Sequence, residues 1–287
     1  MILFLIALVL YAGVNLHEKL IKDHTMPQIH MSKDSIRVSV NADEKEILKG
    51  ITASDKKDGD ITDSLTVENM SNFIKEGRRN VTITAADSDN HVSKVTRKLN
   101  YKDYVAPKYK LTAPLRFPIN ETEENIMSVI SVRDVLDGDL TRNITASVEK
   151  KMSIDTAGDY DITFTVMNSA GDVAELPVTL TLYDPQTENG APTIELSKYL
   201  INVVKDGEIT PWDYVRAVQM DGHRYERAED GALYEKGSDN DASSISQGNV
   251  RIISDVDMGK IGTYEITYKV RDSEGRSGSV RLVVCVR

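Results

Sequence analysis

Two short acidic runs contain the side chains of this chain that are best suited to chemistry. Both runs have the pattern Asp-x-x-Asp-Gly-Asp, with aspartates at Asp55, Asp58 and Asp60 and again at Asp134, Asp137 and Asp139. Calcium prefers clustered carboxylate oxygens, so each run is a candidate calcium site. Neither run has the alternating ligands and closing glutamate of an EF-hand, and Lys56 and Lys57 would repel a cation. We therefore prefer a structural turn, in which glycine takes a positive φ and aspartates accept backbone N–H groups, and we expect no cofactor.

Three aromatic residues near the C-terminus are candidates for ligand binding. Trp212 could offer a flat face to a sugar, but packing under the segment that follows it is the preferred interpretation. That segment has a helical spacing of apolar residues, at Tyr214, Val215 and Val218. Tyr225 and Tyr234 are interpreted as a cross-strand pair within a small hairpin, in preference to a ligand site.

The elements around these residues follow from one repeated pattern. It is Gly-x-Tyr-x-Ile-Thr-aromatic-x-Val-x-(Asp/Asn)-Ser-x-Gly, and it spans Gly158 to Gly171 and Gly262 to Gly275. A less complete copy without the aromatic residues begins at Gly77. Apolar and polar residues alternate along each copy, and a turn sequence and a second alternating run follow. The pattern predicts a β-hairpin in each copy and therefore a tandem array.

A proline precedes an alternating segment at the start of each copy, at Pro27, Pro107 and Pro192. Proline is tolerated where an edge strand begins, because its missing N–H costs no sheet hydrogen bond. We therefore predict three β-sandwich modules at 26–104, 105–186 and 190–287, called here the first, second and third repeats. An N-terminal segment, 1–25, precedes them.

The third repeat differs from the others through an insertion at 219–248. The insertion is polar and glycine-rich, so we expect a protruding loop with a small hairpin, His223 to Arg227 facing Ala232 to Lys236. The run that starts at Asp206 resembles the acidic turn but comes too soon after Pro192 to be its counterpart. If the chain recognises a ligand, this insertion is the expected place, because loops on a rigid scaffold carry specificity.

Charge and cysteine content limit the possible functions. Forty-five acidic residues against 35 basic residues give a formal charge of −10. This balance argues against nucleic-acid binding, which needs a basic surface. The single cysteine, Cys285, lies within an apolar strand pattern and is expected to be buried.

Residues 1–16 are predominantly apolar and carry no charged side chain. A membrane helix needs about 20 residues, so the run is short for a span and suits the core of a signal peptide. No basic residue precedes the run and no clear cleavage site follows it, which favours an uncleaved transmembrane anchor. With either interpretation, the rest of the chain is expected outside the cell.

These motifs together resemble the bacterial surface immunoglobulin-like repeats, a family also found as Ig-like domains of a pesticidal crystal protein. The matching pattern is Asp-Gly-Asp-(Ile/Leu)-Thr, then Gly-x-Tyr-x-(Ile/Val)-Thr-(Tyr/Phe), then Asp-Ser-x-Gly, and it covers the chain from about residue 30 onward. The resemblance implies an all-β fold of tandem immunoglobulin-like β-sandwiches, export, and a role in display or adhesion. It carries over no catalytic or binding residue.

The sequence therefore predicts a membrane-anchored extracellular rod without enzymatic activity, for bacterial cell-surface display, adhesion or spacing. Its expected partners are a cell-surface protein or a polysaccharide, and the membrane through residues 1–16. The alternative is a carbohydrate-binding or cell-wall-binding accessory protein that uses Trp212 or the insertion. An enzyme with paired acids is disfavoured, because the repeats leave no further domain for a catalytic cleft and the acids concentrate in turns.

Overall fold

The computed structural model describes residues 10–13, 24–148, 152–237 and 244–287, and most of the regular secondary structure in these residues is β-strand. Most of the predicted anchor lies outside the described residues. Residues 10–13 are helical. In the part of the chain that is described, no helix has both the length and the apolar character needed to cross a membrane.

In the first repeat, two sheets enclose one apolar cluster. The sheets have strand orders β1-β3-β4 and β2-β7-β6-β5. The strands are Gln28–Met31 (β1), Ser35–Val38 (β2), Ile51–Asp55 (β3), Gly59–Asp60 (β4), Thr66–Met70 (β5), Arg78–Ala86 (β6) and Val92–Tyr101 (β7). A short helix, Glu44–Leu48 (α1), and a 3₁₀ turn, Thr62–Ser64, complete it. Ala53 of one sheet and Ile83 of the other are both buried in this cluster, which gives two-layer packing.

The second repeat has the same arrangement, with sheets β11-β10-β8 and β12-β13-β14-β9. Its strands are Lys108–Leu111 (β8), Arg116–Pro118 (β9), Ile130–Asp134 (β10), Gly138–Asp139 (β11), Thr145–Val148 (β12), Gly158–Met167 (β13) and Val173–Tyr183 (β14). A helix, Glu123–Ser128 (α2), and a 3₁₀ turn, Thr141–Asn143, occupy the same places as in the first repeat.

The third repeat has sheets β15-β17-β18-β19-β20 and β16-β23-β22-β21. Its strands are Thr193–Leu196 (β15), Leu200–Val203 (β16), Val215–Met220 (β17), His223–Arg227 (β18), Leu233–Glu235 (β19), Ser244–Ile245 (β20), Arg251–Ser254 (β21), Gly262–Arg271 (β22) and Ser277–Val286 (β23). Its 3₁₀ turns are Pro211–Tyr214 and Gln247–Asn249.

The predicted hairpins are confirmed in all three repeats, as β6–β7, β13–β14 and β22–β23. Pro27, Pro107 and Pro192 each directly precede a strand, as predicted. The strand faces follow the alternation in sequence: Ile162, Phe164 and Val166 are buried, whereas the residues between them are more exposed. Local patterns of apolar residues and turns therefore determine these elements.

Two expectations for the third repeat are wrong. The residues after Trp212 form a 3₁₀ turn and then β17, because Val215 and Val218 are drawn into pairing with β15 across a β-bulge. The inserted segment does contain the predicted hairpin, but it extends the sheet through β18 to β20 and buries Tyr225, Leu233 and Ile245. Residues 238–243 of the insertion lie outside the described part.

The chain divides into two compact units. The first runs to Val105 and includes Ser169–Asp172, and the second contains Ala106–Asn168 and Val173–Arg287. The second and third repeats thus belong to one unit, and the boundary predicted near residues 186–190 lies inside it. The module boundaries themselves stay a prediction.

Candidate functional site

The acidic run of the first repeat forms the turn between β3 and β4. Gly59 has φ of 75°, which a glycine adopts without strain. The carboxylate of Asp55 is buried, and its Oδ1 accepts the backbone N–H groups of Lys57 and Asp58 at 2.8 and 3.2 Å. This is the turn chemistry that the sequence predicts.

A third carboxylate joins this turn from the distant β6–β7 hairpin. One oxygen each from Asp55, Asp58 and Asp87 lie within 4.8 Å of one another, and Asp55 and Asp87 are buried. Three carboxylates at this spacing are the kind of donor set that calcium prefers. The structure thus supplies Asp87 as the third member, where the sequence pattern pointed to Asp60.

Hydrogen-bond donors within the protein already contact these carboxylates. Asp58 accepts the backbone N–H of Ser88 at 2.9 Å and its hydroxyl at 2.8 Å. Asp87 accepts the N–H groups of Asp89 and His91 at 2.9 and 2.7 Å, and its Oδ2 lies 2.7 Å from His91 Nδ1. Nearby, Lys57 Nζ lies 2.6 Å from an Asp89 oxygen. The hydrogen bonds of the cluster therefore tie the two turns together.

Asp60 and its counterpart Asp139 have a different role. Each accepts the N–H of the threonine two residues later, Thr62 at 3.0 Å and Thr141 at 2.9 Å. Hydrogen bonds from these threonines hold the pKa of both aspartates below the usual value. Each of these side chains therefore accepts the first backbone N–H of the 3₁₀ turn that follows it.

The second repeat has the same turn but replaces one carboxylate. Gly138 has φ of 77°, and Asp134 accepts the N–H groups of Leu136 and Asp137 at 2.7 and 2.9 Å. The position that matches Asp87 holds Asn168, whose Nδ2 donates to Asp134 Oδ2 at 3.2 Å. A neutral amide here lowers the negative charge, so this site suits a cation less well than the first.

In the third repeat, an arginine pairs with the matching aspartate. Asp272 matches Asp87 and accepts the backbone N–H and the Nε–H of Arg276 at 2.7 and 2.6 Å. Burial works to raise the pKa of Asp272, but the hydrogen bonds from Arg276 hold it below its usual value. The acidic turn is Asp221–Gly222, and Asp221 accepts the N–H and hydroxyl of Ser273 just as Asp58 does with Ser88. Asp206 is therefore not the counterpart, as the spacing predicts.

These partners were invisible in the acidic runs alone. Asp87, Asn168 and Asp272 stand at the Asp/Asn-Ser position of the hairpin pattern, so the repeat does mark them. The repeat pattern does not show that this Asp/Asn position contacts the acidic turn in the folded protein. Asp221 was missed because it lies inside the insertion at 219–248, which hides the repeat.

We expect millimolar calcium to leave the melting temperature of the first repeat unchanged, because protein donors already satisfy the cluster. Replacing Asp87 with alanine should destabilise the first repeat by about 2 kcal/mol, because the part-buried backbone N–H groups of Asp89 and His91 lose their acceptor. Circular dichroism melts with calcium and with EDTA measure both effects. A calcium-dependent rise in the melting temperature that Asp87→Asn abolishes would instead establish a metal site.

The aromatic candidates are all engaged in the fold of the third repeat. Trp212 packs against the core, its Nε1 donates to the carbonyl of Gly231 at 3.1 Å, and the Arg227 guanidinium lies over its ring. The strand register sets Tyr225 opposite Glu235, and Tyr234 opposite Glu226. The predicted pairing of Tyr225 with Tyr234 is therefore wrong. The strand register differs by one residue from the predicted one, so the two tyrosines lie on opposite faces of the sheet.

Comparisons with known proteins agree with the repeat pattern. Residues 218–286 match the family described as bacterial surface protein, Ig-like domain. An uncharacterised 81.3 kDa protein of Acholeplasma phage L2 is 23% identical over 190 residues, which cover 66% of this chain and 22% of that protein. The chain thus spans about a fifth of the length of this relative.

Two solved structures that share low similarity with the chain are multidomain proteins. One contains CBM51-2 in complex with GlcNAc and INT domains from Clostridium perfringens ZmpB, with 18% identity, coverage of 52% of this chain and 26% of that one, and a TM-score of 0.22. The other is mouse cadherin-23 EC22–24, with 13% identity, coverage of 92% and 99%, and a TM-score of 0.21. TM-scores this low support no shared function. The match to the bacterial surface Ig-like family covers residues 218–286, in the third repeat.

Proposed function

We propose that this chain is a non-enzymatic, cell-surface spacer or adhesion segment, tethered through residues 1–16, which presents other parts of its protein or a ligand outside the cell. The matched Ig-like family supports a surface location. The observation that carries the proposal is the junction between the second and third repeats. A spacer that projects from the cell needs a fixed orientation between its modules, and therefore a rigid junction. An isolated binding domain does not need such a junction.

An ion-pair network crosses this junction. Arg281 of β23 contacts Asp159 of β13, with Nη2 2.5 Å from Oδ2, and donates to the hydroxyl of Thr181 at 2.5 Å. Glu265 of β22 accepts the backbone N–H and the hydroxyl of Thr179 at 2.8 and 2.7 Å. The carboxylate of Glu265 thereby satisfies a strand N–H that faces away from β13, and it protects that edge of the sheet.

Apolar side chains reinforce the junction. Leu200, Val283 and Cys285 of the third repeat are buried in the cluster of the second repeat, and Tyr199 packs against both clusters. Burial of apolar surface stabilises such a contact by about 25 cal/mol per Å². The junction therefore resists bending through packing as well as through charge.

Surface exposure is tested by protease shaving of intact cells, followed by peptide mapping. We expect the released peptides to come from residues after 24 and the segment 1–16 to stay with the cells. Peptides released only after lysis would refute the proposal. This experiment also separates an anchor from a cleaved signal, because a cleaved signal leaves no retained N-terminal peptide.

Acid should weaken the junction through Asp159. Burial works to raise the pKa of Asp159, but hydrogen bonds from Arg281 and Thr181 outweigh it and hold the pKa below its usual value. Its contribution to stability is therefore complete above the unfolded pKa of an aspartate, about 3.9, and is lost as the pH falls through the lower folded pKa. The effect should be small, because the side chain is 53% exposed. Urea titrations across this pH range should show a steeper loss for the native chain than for Asp159→Asn, and equal slopes would contradict the assignment.

Carbohydrate binding is the second candidate function. Trp212 suits it poorly, since its indole N–H is used within the protein and Arg227 covers the ring. The insertion retains exposed polar residues, among them His223 and Lys236, as a place for recognition. A glycan array with Trp212→Ala as a control tests this candidate, and unchanged glycan binding by that variant excludes the indole as the platform.

A further inference from the structure

A groove at the junction of the second and third repeats has the size of a ligand site. It encloses about 740 Å³ and is lined by residues of β8, by 195–203, and by Tyr214 and Arg216. Ligand sites in proteins usually have volumes of about 300–1,000 Å³. We propose that this groove binds an anionic glycan, that is, a sugar polymer that carries phosphate or carboxylate groups.

Positive charge dominates the lining. The charged residues that line the groove are three cations, Lys110, Lys198 and Arg216, and one carboxylate, Glu195. Lys110 and Lys198 are exposed, and neither forms a side-chain hydrogen bond or ion pair with the described residues. Glu195 is held by two arginines, Arg216 at 3.0 Å and Arg224 at 2.7 Å. The two lysines are therefore free to meet an anion.

The net charge of the chain does not oppose this binding. The formal charge of −10 is spread over 287 residues. At physiological salt, charges more than about 8 Å apart are largely screened from one another. An anion within the groove therefore responds mainly to the lysines that line it, and the groove is an electropositive site on an acidic protein.

The uncharged lining favours a sugar over a bare polyanion. Tyr199 and Tyr214 are half-buried in the wall, and Thr112, Ser197 and Asn202 add exposed polar groups. Tyrosine faces and hydroxyl groups match the alternating apolar and hydroxylated faces of a sugar ring. The combination of free lysines, tyrosines and short polar side chains fits a charged glycan.

This inference rests on the proposed surface location, because the groove can bind an extracellular glycan only if the chain lies outside the cell. The test is calorimetric titration of the purified full chain with three polymers: poly(glycerol phosphate), polygalacturonate and neutral dextran. We expect at least one anionic polymer to bind about tenfold more tightly than dextran, with weaker binding at higher salt. The two anionic polymers distinguish phosphate from carboxylate recognition.

Variants assign the binding to the groove. The double change Lys110→Gln and Lys198→Gln should weaken binding of the anionic polymer about tenfold. Lys45→Gln is the matched control, since Lys45 on α1 is also exposed and its side chain pairs with none of the residues that the structure describes. This variant should change the affinity by less than about twofold.

Three results would overturn the inference: equal binding of anionic and neutral polymers, an unaffected double variant, or an oligodeoxynucleotide that binds as tightly as the anionic glycan. The last result would make the groove a phosphate-backbone site. A chain that protease shaving finds on the surface but that fails these titrations loses only the groove assignment. A chain that is never exposed loses the surface function itself.

Discussion

Replacing Gly278 with alanine is expected to disrupt the third repeat. Gly278 lies in β23, and a Cβ atom built there would be 1.7 Å from the carbonyl oxygen of Pro192. Gly278 lies within β23 and Pro192 lies directly before β15, so neither backbone can move without breaking sheet hydrogen bonds. We expect a loss of at least about 3 kcal/mol in the free energy of unfolding, at the upper end of the usual cost of overpacking.

Urea denaturation followed by the fluorescence of Trp212 measures this loss, because the chain has a single tryptophan and it lies in the third repeat. Gly248→Ala is the matched control. The nearest atom to a Cβ at Gly248 is Ser246 Oγ at 3.6 Å, an ordinary contact. A Gly278→Ala protein as stable as the control would show that Pro192 does not approach β23 this closely.

Truncating Phe164 to alanine is the second change with a large expected effect. Phe164 is 1% exposed at the centre of the second repeat's cluster, which also contains Leu200, Val283 and Cys285 of the third repeat. Phenylalanine-to-alanine changes in cores cost about 3–5 kcal/mol through lost burial and the cavity that remains. Because the two repeats share this cluster, we expect the unfolding transition of Trp212 to move to lower urea as well, although Trp212 lies in the other repeat.

Ile83→Ala is the matched control for the first unit. Ile83 has the same place in the β6–β7 hairpin that Phe164 has in β13–β14, and it is fully buried. This variant should lower the stability of the first repeat and leave the Trp212 transition in place. If Phe164→Ala also left the Trp212 transition unchanged, the second and third repeats would unfold independently, and the shared cluster would contribute little to the junction.

Local sequence signals predicted those parts of the fold that depend on neighbours in the chain. Alternation at Ile162, Phe164 and Val166 predicts a strand with one buried face, because successive side chains of a strand point to opposite sides. Asp-Gly-Asp predicts the β3–β4 turn, because glycine accepts positive φ and aspartate accepts nearby N–H groups. The prolines mark the starts of β1, β8 and β15 for an equally local reason.

Sequence patterns predicted the wrong local structure where contacts with residues distant in the chain outweighed the local preference. Val215 and Val218 have helical spacing, but pairing with β15 makes their segment a strand. The inserted hairpin was expected to protrude, but Tyr225 and Leu233 are buried in the apolar cluster of the third repeat. A sequence shows that such residues are apolar, but it does not show which surface lies within reach.

Sequence patterns alone predict a repeated all-β chain with acidic turns and paired hairpins, since period-two alternation and turn chemistry act over a few residues. The packing of the sheets determines which carboxylates meet. Asp87 joins Asp55 and Asp58 across some thirty residues, and an amide or an arginine completes the matching turns of the other repeats. It also decided the junction of the second and third repeats, where Arg281 reaches Asp159 and a basic groove forms. These contacts join residues far apart in the chain, and their partners are set by how whole sheets pack.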